Sequence, residues 1–282
     1  MNCIYISDTL GDDNARGRIT ARLLTGISGS VFSSVTPIGV DSEVEGFVQL
    51  VDQLDATRGN PAVILFNVAP RGVNKKKLPN GSPFGHLRVG NADIFPTTEG
   101  RVLPLLQNLL GTRLRVRVHE ICPEVLGAVG IPWYKRKYVT STQFRSYEFL
   151  PDLANAVVSG REVPGRKIMV ARVRDSGAFV GVVDKFGNIK TTALPGDIGF
   201  RPGRTLTLSL GGTEVRLPCY PRLKDVPCGA LAAVVGSSGL WVGRTNKRFV
   251  ELVVQKGDAA SRLQSLTGGG VAVASGVKLN FV

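Results

Sequence analysis

Ala62-Val63-Ile64-Leu65-Phe66-Asn67-Val68 is a near-continuous apolar run. A strand without a polar face must be covered on both sides, which predicts a central strand of a parallel sheet. The surrounding pattern agrees. Asn2 to Ser7 reads as a buried strand, and the polar turn Asp8 to Asn14 follows it. Asn14 or Asp13 is placed to cap a helix over Ala15 to Thr25, whose Ile19, Leu23 and Leu24 have helical spacing. Ser30 to Pro37 holds a second strand around Val31-Phe32, and Val44 to Leu54 a second helix with one apolar face. Ala69 to Ser82 is a long basic loop. Val102 to Leu110 reads as a helix, Leu114 to Val118 as a strand, and Phe149 to Val158 as a last helix closed by Ser159-Gly160. Strands alternating with helices predict an α/β domain with a mainly parallel sheet over residues 1–160.

The pattern changes after Arg161 to Lys167, which reads as a linker. Over residues 168–282 come short strands broken by Gly and Pro: Ile168 to Val173, Phe179 to Val183, Thr205 to Leu210, Thr213 to Leu217, Leu231 to Val235, Phe249 to Val254 and Val277 to Val282. Only Ala259 to Leu266 has helical character there. This predicts a smaller β domain, a compact barrel or sandwich, and the barrel is the form expected.

Composition narrows the function classes. No run of about 20 apolar residues spans a membrane, and the N-terminus carries no basic, apolar leader, so a cytoplasmic protein is expected. Cys3, Cys122, Cys219 and Cys228 form no CxxC pair, and His86 and His119 stand far apart, so no metal site is expected. His119 ends an alternating strand and reads as structural. The net charge is +13 and uneven: 18 Lys and Arg face 15 Asp and Glu up to Gly165, and 17 face 7 beyond it. Such an excess attracts anions, nucleic acid included, or keeps a surface solvated. Aromatic residues are not regularly interleaved with the basic ones, as they are in single-strand binders.

Two turns carry chemistry-bearing residues. Ser7-Asp8-Thr9-Leu10-Gly11-Asp12-Asp13 lies where the first strand meets its helix, the place where open α/β sheets hold ligands. Asp8, Asp12 and Asp13 can accept ribose hydroxyls there, or cap the helix. Val183-Asp184-Lys185-Phe186-Gly187-Asn188 sets an acid and an amide four positions apart across a Phe-Gly turn. Asp184, Phe186 and Asn188 can bind a ligand, or Asp and Asn can bond their own backbone.

These segments together resemble the S-adenosylmethionine-dependent halogenase and hydroxide adenosyltransferase family, which includes fluorinases and chlorinases. Ser7 to Asp13 is similar to the family's first turn. Val183 to Thr192 is similar to its Val-Asp-x-Phe-Gly-Asn-x-x-Thr-Asn signature, departing at the final Asn. Gln143-Phe144-Arg145-Ser146-Tyr147-Glu148 resembles a Thr-Phe-Tyr-Ser-Arg-Glu segment, and Asp258-Ala259-Ala260 with Gln255-Lys256-Gly257 resembles an Asn-x-Gly-x-Ala-Ala segment. The resemblance implies an N-terminal α/β domain, a C-terminal β-barrel and a homotrimer with sites between subunits. It implies S-adenosylmethionine as ligand, with no metal. Asp8 would hold the ribose, Asp184 and Asn188 the methionine end, and backbone around Lys256 to Ala259 the adenine edge. Phe144 would pack near the reacting carbon and Ser146 near the nucleophile.

The departures fall on the groups that activate water in the hydroxide-using members. Ala69 stands where that family has an Asp, Lys75 or Lys76 matches an Arg, and Arg145 stands nearest to a His. Ser146, Lys75 and Arg145 are therefore the catalytic candidates. A non-catalytic adenosyl sensor and a nucleic-acid-associated protein, the latter on the strength of Lys135-Arg136-Lys137 and the basic second half, are the alternatives.

Overall fold

A computed structural model describes residues 1–27, 29–68, 70, 82–171 and 177–282. The chain forms two compact units, one of Met1–Gly46 with Ala56–Val173, the other of Phe47–Asp55 with Arg174–Val282. Each is built on a seven-stranded sheet.

In the first unit, strands β1 (Asn2–Ser7), β2 (Ser34–Gly39), β3 (Ala62–Asn67) and β5 (Ala92–Pro96) run parallel in the order β2-β1-β3-β5. The apolar run is β3, and Val63 to Phe66 are wholly buried at the sheet centre. Burying each such side chain contributes roughly 1.5–3 kcal/mol. The rest of the sheet corrects the expectation of a mainly parallel one. Strand β4 (Phe84–Val89) returns antiparallel to β5 through a tight turn at Gly90-Asn91, and β6 (Arg115–His119) and β7 (Arg166–Met169) extend it antiparallel. Two strands joined by so short a turn can pair only antiparallel. The linker expected over residues 161–167 thus runs into a strand of this first sheet.

Helices α1 (Asp13–Thr25), α3 (Val102–Leu110), α4 (Pro123–Ala128), α5 (Trp133–Ser141), α6 (Arg145–Glu148) and α7 (Leu150–Val158) belong to the same unit. The α1 cap is Asp12, whose carboxylate accepts the Ala15 amide at 2.8 Å, rather than Asp13 or Asn14. One core joins Tyr5, Leu23, Leu65, Phe84, Phe149 and Leu153.

In the second unit every strand pairs antiparallel, in the order β11-β10-β14-β8-β9-β13-β12. These are β8 (Ala178–Val183), β9 (Ile189–Thr191), β10 (Thr205–Leu210), β11 (Thr213–Pro218), β12 (Leu231–Val242), β13 (Thr245–Val254) and β14 (Lys278–Phe281). A bridge between Cys219, just past β11, and Ala233 of β12 brings the two sheet edges together, so the sheet curls into a half-barrel. Helix α8 (Ala259–Leu266) buries Ala259 and Leu263 in its core. Most of α2 (Glu43–Ala56) belongs here: Asp52 accepts Ser238 Oγ at 2.9 Å and the Gly239 amide at 3.0 Å, and Asp55 pairs with Arg248 at 2.9 Å. Among the described residues no helix is long and apolar enough to cross a membrane.

Gly39 ends β2 where the backbone presses on the first turn. A Cβ there would stand 2.5 Å from the Leu10 carbonyl oxygen. Gly39→Ala is therefore expected to cost about 1–3 kcal/mol in a denaturant titration, the usual penalty of overpacking. Unchanged stability would show that the Leu10 turn yields freely.

Candidate functional site

At the carboxyl end of β1 the chain builds a polar turn from its own hydroxyls. Ser7 is fully buried, and its Oγ accepts Asn67 Nδ2 at 3.0 Å and the Thr9 amide at 3.2 Å. With both acceptor positions used, Ser7 donates its proton to Thr9 Oγ1 at 2.9 Å. The Thr9 proton is left to point away from Ser7. Asp8, between them, is half-buried and donates its amide to Asn67 O at 3.3 Å.

Beside this turn lies a cavity of about 420 Å³, within the range of small-molecule sites. Tyr5, Thr9 and Leu10 form one side, and Tyr138, Phe144, Ser146 and Tyr147 the other. Tyr5 is wholly buried, and its hydroxyl donates to Ser146 O at 3.1 Å. Burial pushes this phenol well above its ordinary pKa, and the Asp8 carboxylate adds to the push. Phe144 and Tyr138 expose 65% and 51% of their surface, so the aromatic wall is open to a ligand from outside.

Arg145, Ser146, Tyr147 and Glu148 make up α6, a single turn that cannot hold itself. Its side chains are gripped from α1. Arg18 and Arg22 both stack on the Tyr147 ring at 4.9 Å, and Arg22 Nη2 meets Glu148 Oε2 at 2.7 Å. Arg22 also approaches Asp152 at 3.9 Å. Burial lowers the pKa of Arg145. Sequence reasoning picks Phe144 and Ser146 but misses Tyr5, Thr9 and Tyr138. Alternation along β1 marks Tyr5 as inward-facing, and that is the one signal available for it.

The other sequence-chosen residues have separate placements. Asp12 spends its carboxylate on the helix cap, and Asp13 is fully exposed, 3.7 Å from Arg16. Lys75, Lys76 and Ala69 lie outside the described residues.

In the second unit the Phe-Gly turn folds on itself. Asp184 Oδ1 accepts the amides of Phe186 at 2.8 Å and Asn188 at 3.0 Å, and Oδ2 accepts Asn188 Nδ2 at 3.1 Å. Burial alone raises the Asp184 pKa, but these three hydrogen bonds outweigh it and hold the carboxylate below its ordinary value. Gly187 has φ 78°, and a Cβ there would collide with the Asp258 carboxyl group. Asp258 caps α8 through the Ser261 amide at 2.7 Å, and the Ala260 amide donates to Gly187 O at 3.0 Å. The turn and the helix start are thus one cluster, holding Asp184, Asn188 and Ala259, with Phe186 66% exposed at its edge and Lys256 at φ 60° before the cap. Among the described residues no group of three or more His, Cys, Asp or Glu is arranged to hold a metal ion.

No protein-family model matches this chain, and no curated protein does. Solved structures do. An uncharacterized conserved protein from Thermotoga maritima aligns over 99% of this chain and 100% of its own, at 17% identity and a TM-score of 0.67. A conserved hypothetical protein from Thermus thermophilus aligns over the full length of both chains, at 20% identity and a TM-score of 0.53. These likenesses establish a shared fold.

Asp152 makes the site region sensitive to pH. Burial raises its pKa from 3.8 to about 6, against the pull of Arg22. The folded chain keeps this proton where the unfolded chain releases it. The stability it contributes is complete below the unfolded value and fades as pH rises through about 6. Asp152→Asn should flatten that part of the stability-pH curve, a slope worth on the order of 1–3 kcal/mol. Denaturant midpoints across that window decide it, and an unchanged slope in the variant assigns the effect elsewhere.

Proposed function

We propose that this chain binds S-adenosylmethionine, as a divergent relative of the S-adenosylmethionine-dependent halogenase and hydroxide adenosyltransferase family. The curled sheet of the second unit is, in this reading, that family's small β-barrel. The observation that carries the proposal is convergence. Phe144 and Ser146, chosen from sequence, line the same ligand-sized cavity as Thr9 and Leu10, which adjoin Asp8.

In the proposed reaction a nucleophile attacks the ribose C5′ in line with the carbon–sulfur bond. That bond breaks, its electron pair goes to sulfur, and neutral methionine leaves. With water as nucleophile the surplus proton passes to solvent; with halide there is none to move. Asp8 would accept the ribose hydroxyls. The aromatic wall of Tyr138 and Phe144 would exclude water around the cationic sulfur and stack against it. Asp184 and Asn188 would take the amino and carboxylate groups of methionine through the lone pairs and N–H left over from their own contacts. Backbone at Lys256 to Ala259 would meet the adenine. Homotrimerisation belongs to the same proposal, and three times the chain mass in light scattering is its expected outcome.

One observation favours a binder, or a halide user, over a hydrolase. Among the described lining residues Glu148 is the only carboxylate, and it is committed to Arg22. The cavity therefore lacks a carboxylate or imidazole ready to take a proton from water.

Isothermal titration with S-adenosylmethionine and with adenosine, followed by chromatography of the mixture, tests the proposal. Saturable binding is expected. Release of adenosine and methionine marks a hydrolase, and intact ligand marks a sensor or a halide user. Absence of binding by both compounds overturns the proposal. Asp8→Ala should weaken both ligands by at least about tenfold, the loss of a charged hydrogen bond. Asn188→Ala should weaken S-adenosylmethionine more than adenosine. Equal losses would give Asn188 a role in the turn alone.

A further inference from the structure

A second cavity, of about 410 Å³, opens on the antiparallel side of the first sheet. It is lined by His86 of β4, Arg115, Arg117 and His119 of β6, Lys167 of β7, and Arg161 in the stretch after α7. The strand register explains the crowding of charge. His86 pairs with Arg117, and Arg117 pairs with Lys167, so three basic side chains lie side by side across three strands. Arg115 and His119 flank Arg117 at two-residue spacing, on the same face of β6. Like charges directly opposite one another on a sheet repel.

Little within the chain offsets that repulsion. His86 is bonded to Asp93 at 2.8 Å. Among the described residues, Arg115, Arg117, Arg161 and Lys167 form no ion pair with a carboxylate. Among the described lining residues Glu162 is the one carboxylate. The cavity therefore carries a clear excess of positive charge.

His119 supplies an independent sign of a ligand. It is fully buried, and its Nδ1 donates to Pro164 O at 2.8 Å. That bond fixes the proton on Nδ1 in the neutral ring and leaves Nε2 as an acceptor. Nε2 is buried and has no hydrogen-bond partner among the described residues. Buried polar atoms without partners are rare in folded chains. A charged polymer lying across the rim would touch the exposed arginines alone, whereas a small molecule inside the cavity would also lie against His119, one of its lining residues.

We propose that this cavity is a binding site for a small phosphate monoester, with Arg117, Lys167 and Arg161 holding the phosphate and His119 Nε2 accepting a hydrogen bond from a hydroxyl beside it. A dianionic group suits an excess of more than one positive charge better than a carboxylate does. The planar guanidinium forks match its oxygens. The site is independent of the adenosyl-ligand proposal and shares no residue with it.

The test titrates the full-length protein at constant ionic strength with inorganic phosphate, ribose 5-phosphate and ribose, by calorimetry and by the imidazole signals in proton NMR. Ribose 5-phosphate should saturate, tighter than phosphate, with ribose silent. Arg117→Gln and Lys167→Gln should each weaken it by about tenfold, as loss of one charge-assisted hydrogen bond does. Arg161→Gln, at an exposed position where folding is not at stake, should weaken it in the same direction. His119→Gln should weaken ribose 5-phosphate more than inorganic phosphate. The proposal fails if ribose 5-phosphate does not saturate at millimolar concentration, or if the arginine and lysine variants bind it unchanged. It fails equally if a single-stranded oligonucleotide binds at these residues and ribose 5-phosphate does not displace it.

Discussion

The Tyr5 hydroxyl is the point on which the first unit's site depends. A phenol wholly inside a sheet-and-helix core must find an acceptor or lose the energy of an unmade hydrogen bond. It finds one in Ser146 O, at the far end of the unit's sequence. That single bond fixes where α6 crosses the end of β1. Once it is there, Tyr147 falls between Arg18 and Arg22, and Glu148 meets Arg22. The cavity wall is thus set by a strand and a helix from the start of the chain. A four-residue helical turn contributes the surface but not the stability.

The second unit solves a similar problem by opposite means. Asp184 satisfies its turn locally, through the two amides and the one side chain within four residues of it. Local bonding is the plainer of the two expectations for this motif, and it is present. It does not exhaust the groups. A carboxylate has about four acceptor positions and Asn188 has a second N–H and an amide oxygen, so a turn held this rigidly still presents polar atoms at fixed positions. Rigidity achieved before binding lowers the entropy lost on binding. The reach of Asp258 to the underside of Gly187 adds to that rigidity from a separate element.

How much of this is legible beforehand depends on whether the signal is local. The bounds of β10 and α8 follow from periodicity alone, because apolar spacing decides them. So does β3 within one residue. The hairpin of β4 and β5 escapes such a reading because what holds His86 is distant in sequence or across the turn: its ring stacks on Phe95 at 4.7 Å and bonds Asp93. Gly85, which breaks the apparent alternation, stands where an added Cβ would collide with the Val116 side chain. β7 reads as a linker because Arg166 and Lys167 are charged, though an edge strand tolerates such residues well. Phe144 and Ser146 enter through family resemblance. Nothing in Arg145-Ser146-Tyr147-Glu148 itself signals that Tyr5 needs a partner there.

Charge teaches the same lesson from another side. Counted along the chain, the positive excess belongs to the second half, which makes that half the natural place to look for an anion. Counting ignores register. Cations that stand apart on a wet surface repel each other weakly, because water and salt screen them. Cations placed opposite one another on adjacent strands, as Arg117 and Lys167 are, are held close by the register itself. Counted over the first unit instead, 21 Lys and Arg face 13 Asp and Glu, because it takes in Lys167 and leaves Asp52 and Asp55 to the other unit, and its sheet sets Arg117 opposite Lys167. Several of the unit's carboxylates are spent away from that pair, Glu148 and Asp152 against Arg22 and Asp13 against Arg16, while Asp93 is shared between His86 and Arg88. The strand register and this distribution of partners concentrate the unit's own positive excess in one cavity.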